Sequence, residues 1–363
     1  MHPNKESKRP LQKRVLYPNK ESERPLQKGV LHQYNNSYNI FYDLFYKNQF
    51  SNVEQHLLTK YLQSETSGKI DTMIKKYIYK TENYQLPDNL NILYSTQSSV
   101  RLIQAFYYAV QKIEKKIMKV SNNNTTRELN FNLYKVNTRF VPNTVYSEND
   151  DDVSVDTYIL TSPENPSGNI YHPKNIRKTF NYLLLDGYND KKIITGESTV
   201  NPWKYNYYQY DNFCEVSSLS PYGLKGFRIG YAIVKNPIIY KYMFEYIHGN
   251  DRDTFFLYNQ NVIYWSKIFL NNIIIQEKNL KIMNQLLRKR QTEIKKIVPK
   301  SHYLCNDNVP YATILVSKDK LAENNIEIVN NVYPFPSKYT KIFLLGSNDD
   351  WKKMLNVLEK IFK

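Results

Sequence analysis

The residues best equipped for chemistry in this 363-residue chain fall in one stretch, Ser217-Ser-Leu-Ser-Pro-Tyr-Gly-Leu-Lys-Gly-Phe-Arg-Ile-Gly-Tyr231. Its glycines permit tight turns and close approach of backbone to a ligand. Arg228 supplies a forked donor suited to phosphate. A second stretch, Thr161-Ser-Pro-Glu-Asn-Pro-Ser-Gly168, is rich in turn formers and presents the amide of Asn165 at the end of an apolar run. A third polar group, Ser98 and Ser99, precedes Leu102-Ile-Gln-Ala105. Hydroxyls and backbone N–H groups at the start of a helix make a natural phosphate site. Ser95 and Thr96 offer an alternative register for it. Each piece also has a plain structural reading: a Gly-containing hairpin, a good turn, or an arginine paired with a carboxylate.

These pieces need a scaffold. Between Asn91 and Lys235 apolar runs alternate with amphipathic stretches. Strands are expected at Asn91–Thr96, Glu128–Tyr134, Asp156–Ser162, Lys191–Thr195, Phe213–Leu219 and Ile229–Val234. A helix is expected over Ser99–Met118, where Leu102, Ile103, Phe106, Val110, Ile113 and Ile117 recur at helical spacing. A second follows Pro173 and runs to about Leu185. Strands alternating with helices imply a largely parallel sheet covered on both faces, with ligands at the strands' C-terminal ends. Beyond Pro237 the pattern changes to long helices, Pro237–His248, Thr254–Leu270 and Ile273–Ile297. Strands at Ala312–Val316 and Lys341–Leu345 and a closing helix at Asp349–Phe362 follow. The domains expected are a disordered basic tail (1–33), a helical arm (34–90), a large α/β domain (91–250) and a small α+β domain (251–363).

Taken together, these segments resemble fold-type-I pyridoxal-phosphate enzymes. In that family a lysine is followed by Tyr-Gly-Leu-x-Gly-x-Arg-x-Gly-Tyr or a close variant, and a Ser-Pro-x-Asn-Pro-x-Gly loop comes earlier in the chain. Leu102-Ile-Gln-Ala105, Asp251-Arg-Asp253, Pro310-Tyr-Ala, and Lys341-Ile-Phe-Leu-Leu followed by Asp349-Asp-Trp are similar to the alliinase and tryptophan-aminotransferase-related branch. The resemblance spans roughly residues 40–363, and the collinear order of short matches carries it. It implies a three-layer αβα large domain with a mostly parallel mixed sheet, a smaller C-terminal α+β domain, and a homodimer. It also implies pyridoxal phosphate held by Ser98, Ser99, Ser217 and Arg228, with Asn165 on the cofactor's phenolic oxygen.

The same resemblance exposes what is missing. Ser220 occupies the Schiff-base lysine position, and a hydroxyl forms no Schiff base. Aligned on Pro202, the carboxylate that would protonate the pyridine nitrogen falls on Gly196, with Glu197 beside it but turned to the other face. Lys341 matches the substrate-carboxylate arginine, keeping the charge and losing the fork. Lys225, five residues past Ser220, is the one displaced amine the motif offers. The expectation is a degenerate, catalytically impaired homologue that binds the cofactor non-covalently if at all, or another phosphorylated or amino-acid ligand. An active transaminase or carbon–sulfur lyase with atypical residues is the alternative.

Composition bounds the remaining classes. The net charge is +16, but residues 1–32 carry eight Lys/Arg against three Glu. That tail is a near-exact duplication, Pro3–Leu16 repeated as Pro18–Leu31, whose proline and charge predict disorder. The rest of the excess is spread thinly, so specific nucleic-acid recognition is not expected, although a basic nucleic-acid-associated protein is the third reading. Two distant cysteines, Cys214 and Cys305, lack metal-ligand spacing and suit a reducing compartment. No apolar run reaches a membrane span, and no signal peptide is legible. A cytoplasmic protein without a metal is expected. No Gly-x-Ser-x-Gly elbow supports a hydrolase.

Overall fold

The computed structural model describes residues 31–32, 68–115, 118–122, 138–141, 155–164, 168–175, 179–187, 203–218, 229–248, 270, 273–303, 307, 309–324, 326–327, 340–344 and 348–363. In chain order these form β1 (Leu31–His32), α1 (Gly68–Glu82), β2 (Asn91–Ser95), α2 (Ser98–Glu114), β3 (Met118–Asn122), β4 (Thr138–Val141) and β5 (Val155–Thr161). Then come β6 (Phe180–Asp186), β7 (Phe213–Ser218), β8 (Gly230–Val234), α3 (Pro237–His248) and α4 (Ile273–Ile297). The chain closes with β9 (Tyr311–Ile314), α5 (Lys318–Ala322), β10 (Ile326–Glu327), β11 (Thr340–Phe343) and α6 (Asn348–Phe362).

Among the described residues seven strands make the main sheet, in the order β2-β8-β7-β6-β5-β3-β4. β8 is antiparallel to both its neighbours, while the pairs from β7 to β4 are parallel. Parallel strands buried on both faces read as continuous apolar runs, and β6 shows this well. Its Phe-Asn-Tyr-Leu-Leu-Leu-Asp is buried from Tyr182 to Asp186. The expected helix from Pro173 to Leu185 is therefore corrected: only a short 3₁₀ turn stands at Pro173–Asn175, and the apolar run is a strand. Likewise the helix from Ser99 stops at Glu114, because Lys115 takes the left-handed conformation (φ 53°) and Met118 opens β3. The candidate strands Glu128–Tyr134 and Lys191–Thr195 and the helix Thr254–Leu270 (apart from Leu270) lie outside the described residues.

Two cores flank the sheet. On one face α2 and α3 cover Leu93, Ile159, Leu184, Cys214, Val216 and Ala232. On the other, α1 and the C-terminal elements share a core with Tyr158, Leu160, Leu183, Leu185 and Phe213. β9 and β11 form a separate antiparallel ladder. Tail residues Leu31–His32, expected to be disordered, pair in parallel with Ile326–Glu327.

His248 ends α3, 4% exposed, with its ring 4.1 Å from that of Phe244. Burial lowers its imidazole to about 4. Below the ordinary histidine value near 6.5 the unfolded chain takes a proton that the folded chain refuses, so stability falls as the pH drops from 6.5 to 4. Asp71, raised to about 6 by burial against an opposing Lys75, acts with the opposite sign. The difference between His248→Gln and the parent isolates the histidine. The variant is expected to regain roughly 2 kcal/mol relative to the parent across that window, a figure discounted for solvent screening and the favourable helix end. Urea unfolding at pH 7 and pH 4.5 measures it.

Candidate functional site

Because β2, β7, β6 and β5 run parallel, their C-terminal ends share one edge, and β8 begins there. Ser95 and Ser218 both pair with Gly230, while Asp186 pairs with Val216 and with Thr161. α2 starts just beyond β2, so its N-terminus must point at this edge. The first turn of α2 contains no acidic residue, and its N-cap Gln97 makes no side-chain capping bond. Its first-turn N–H groups and positive dipole end therefore lie at the strand-end edge. Ser98 adopts φ 78°, a left-handed conformation that glycine takes without strain. A β-carbon built on Gly230 would fall within 2.8 Å of three main-chain atoms of Ser98 and Ser99. Only glycine lets the helix start come this close to the sheet.

Asp186 is 1% exposed at the end of β6. Side chains alternate along a strand. Tyr182 and Leu184 lie in the core beneath α2, which puts Asp186 on that face too. The same alternation along β7 gives Ser218 the face of Cys214 and Val216. Its Oγ donates to the Ile229 carbonyl at 2.8 Å. From β8, where the helix start rests, to β6 is two strand spacings, about 10 Å. A helix N-terminus with two serines thus faces a buried carboxylate across a span suited to a phosphorylated ring.

The expected site residues are distributed as follows. Ser98 and Ser99 are buried at the helix start. Ser217 lies at the same edge but faces the opposite side of the sheet with Glu215, and its Oγ donates to the Gly187 carbonyl at 3.4 Å. Lys341 is on β11, in the separate ladder, with its ammonium 3.5 Å from the centroid of the Tyr311 ring. Asn165, Gly196, Glu197, Ser220, Lys225 and Arg228 lie outside the described residues. The Pro-Glu segment before Asn165 is held in place: Tyr171 donates to Glu164 Oε2 at 2.7 Å, and the Gly168 N–H donates to the Glu164 carbonyl at 2.8 Å.

Sequence reasoning missed two features. One is Asp186, which directly follows the run to Leu185 assigned to a helix; the abrupt aspartate after Leu-Leu-Leu was the signal available. The other is a buried ionic cluster under the edge. Lys204 Nζ lies 2.8 Å from Glu215 Oε1 and 2.9 Å from Glu82 Oε2, with Lys204 and Glu215 side chains 1% and 0% exposed. Tyr208 donates to Glu215 Oε2 at 2.8 Å, and Tyr205 donates to Glu82. Burial opposes the Lys204 ammonium, but the Glu215 and Glu82 carboxylates outweigh it and hold the group well above the ordinary lysine range. Burial and Glu215 push the Tyr208 phenol far up as well. This lysine is a permanent cation with both its nearest anions in place, the opposite of a nucleophilic amine. Among the described residues no group of His, Cys, Asp and Glu has the arrangement of a metal site. No described helix is long and apolar enough to cross a membrane.

A scan against protein-family models finds no match, and a search of curated protein sequences finds none either. Solved structures do match. The histidinol-phosphate aminotransferase of Clostridium acetobutylicum superposes with a TM-score of 0.65 at 14% identity, over 92% of this chain and 99% of its own. A protein of Methanococcus jannaschii, described as similar in its active site to kynurenine aminotransferases, gives 0.68 at 15% identity over 92% of each chain. An aminotransferase of Staphylococcus aureus gives 0.64 at 16% over 89% of this chain and 90% of its own. At these identities the likeness is one of fold. The chain has the αβα architecture of pyridoxal-phosphate-dependent aminotransferases of fold type I.

Proposed function

We propose that the strand-end crevice binds pyridoxal phosphate, or a phosphorylated ring of the same build, without a covalent bond, and that the chain is a catalytically impaired relative of the aminotransferases. The observation that carries this reading is the buried Asp186 carboxylate on the same sheet face as the α2 N-terminus. These residues fit the cofactor. The first turn of α2, brought against the sheet edge at Gly230, would offer main-chain N–H groups to a phosphate, with Ser98, Ser99 and Ser218 nearby. Asp186 takes the role that sequence alignment gave to Gly196: its negative charge would keep a proton on the pyridine nitrogen. Arg228 and Asn165 complete the set by resemblance, as phosphate and phenolic-oxygen ligands. When bound, the cofactor supplies an electron-withdrawing ring.

What the aligned motif lacks is the Schiff-base lysine. Ser220 offers a hydroxyl in place of the lysine, and Lys204 is engaged by two carboxylates. Lys341 would contribute a point charge for an amino-acid carboxylate, without bidentate recognition. The alliinase-like assignment, a homodimer and a reducing, cytoplasmic setting belong to the same proposal and rest on the resemblance and on the scarcity of cysteine, two in the whole sequence.

Equilibrium titration with pyridoxal phosphate tests the reading. Asp186→Ala is expected to weaken binding tenfold or more, about 1.4 kcal/mol, with the circular dichroism of the parent. Equal affinity in parent and variant, or no binding by the parent, would overturn it.

A further inference from the structure

We infer that Lys204 is a positioning residue for the crevice, acting through Glu215 on the Asp186–Gly187 turn; the inference rests on the crevice reading above. A chain of contacts defines the path. Lys204 Nζ binds Glu215 Oε1 at 2.8 Å. That same Oε1 lies 3.4 Å from where a Gly187 β-carbon would be, so the carboxylate sits beside the side-chain-free face of Gly187. Gly187 is in turn fastened to β7 at both ends of its residue: its N–H donates to the Val216 carbonyl at 2.9 Å, and its carbonyl accepts from Ser217 Oγ at 3.4 Å. Asp186 precedes it, and its own carbonyl accepts the Ser162 N–H at 3.3 Å. The residue that presents the carboxylate to the crevice is thus braced from below by an ion pair that never reaches the crevice.

The cluster has two arms with different reach. Glu82, at the end of α1, ties Lys204 to that helix, and Tyr205 supports it from the same 3₁₀ turn as Lys204. Glu215, on the inner strand β7, ties Lys204 to the turn, with Tyr208 on its second oxygen and Tyr231 of β8 close by. A merely structural staple would make the two arms equivalent for the crevice. A positioning role makes only the Glu215 arm matter there.

Amide hydrogen exchange of the full-length protein separates these cases without any ligand. Glu215→Gln and Lys204→Met are expected to speed exchange at Gly187 at least tenfold relative to the Ile159 amide of β5, while Glu82→Gln leaves that ratio within twofold. In pyridoxal phosphate titrations the first two variants lose at least fivefold in affinity, and Glu82→Gln stays within twofold although its melting temperature also falls. The inference is overturned if the Gly187 ratio is unchanged in Glu215→Gln, or if Glu82→Gln raises it equally. Should the exchange pattern appear while the parent binds no pyridoxal phosphate, the positioning stands and the cofactor reading fails. Glu215→Gln keeps the size of the side chain, so the test survives a Lys204→Met protein that does not fold.

Discussion

Lys204→Met is expected to lower stability by about 3–5 kcal/mol, the usual cost of removing one partner from a buried ionic group. The ammonium is 1% exposed and stands between two carboxylates that are 9% and 0% exposed. Methionine matches the volume of the lysine stem but leaves Glu82 and Glu215 facing each other without a cation. The double variant Lys204→Met/Glu215→Gln removes the uncompensated charge on the strand side. It should recover more than half of the loss, since neighbouring sites of this kind are strongly non-additive. Urea denaturation, with the m-value checked for constancy, gives both numbers. Equal destabilisation in single and double variants would show that packing rather than charge dominates.

The second large effect is at Gly230. Its missing β-carbon would collide with main-chain atoms of Ser98 and Ser99, which have no rotamer to give way. Gly230→Ala therefore has to push α2 off the sheet edge, and a cost of about 3 kcal/mol is expected, at the upper end of the overpacking range. Gly187→Ala is the internal control. There the nearest atom is the Glu215 side chain at 3.4 Å, an ordinary contact, and a loss below about 1 kcal/mol is expected. Because the displaced helix carries Ser98 and Ser99, pyridoxal phosphate affinity should fall in Gly230→Ala and hold in Gly187→Ala. Thermal unfolding and titration of the two proteins side by side give the comparison.

Much of the large domain was legible in the sequence, for physical reasons that also explain the failures. β2, β5, β7 and β8 are short apolar runs closed by glycine, proline or serine, and α3 and α4 carry a clear helical period. Their ends were placed within a residue or so. β6 was not readable, because a strand buried on both faces has no alternation, and Leu183–Leu185 fits a helix as well as a strand. With β6 read as a helix, Asp186 had no strand end to mark it, and alignment on Pro202 gave the carboxylate position to Gly196 instead. β3 and β4 escaped for a related reason: Lys119, Ser121 and Arg139 dilute their apolar character. The Glu82–Lys204–Glu215 cluster joins residues more than a hundred positions apart at its wider span. No local spacing rule links them; only the sheet order brings them together. Ser217 reaches the strand-end edge, yet strand alternation gives it the Gly187 side of the sheet.

On the proposed reading Asp186 supplies the carboxylate for the ring nitrogen, and the decisive deficit is the Schiff-base lysine replaced by Ser220. Borohydride reduction of the full-length protein, incubated with one equivalent of pyridoxal phosphate and analysed by intact mass and peptide mapping, tests that deficit most directly. A protein whose mass is unchanged, with bound cofactor released intact on denaturation, is the expected result. A stoichiometric phosphopyridoxyl adduct on a single lysine, whether Lys204, Lys225 or another, would contradict it.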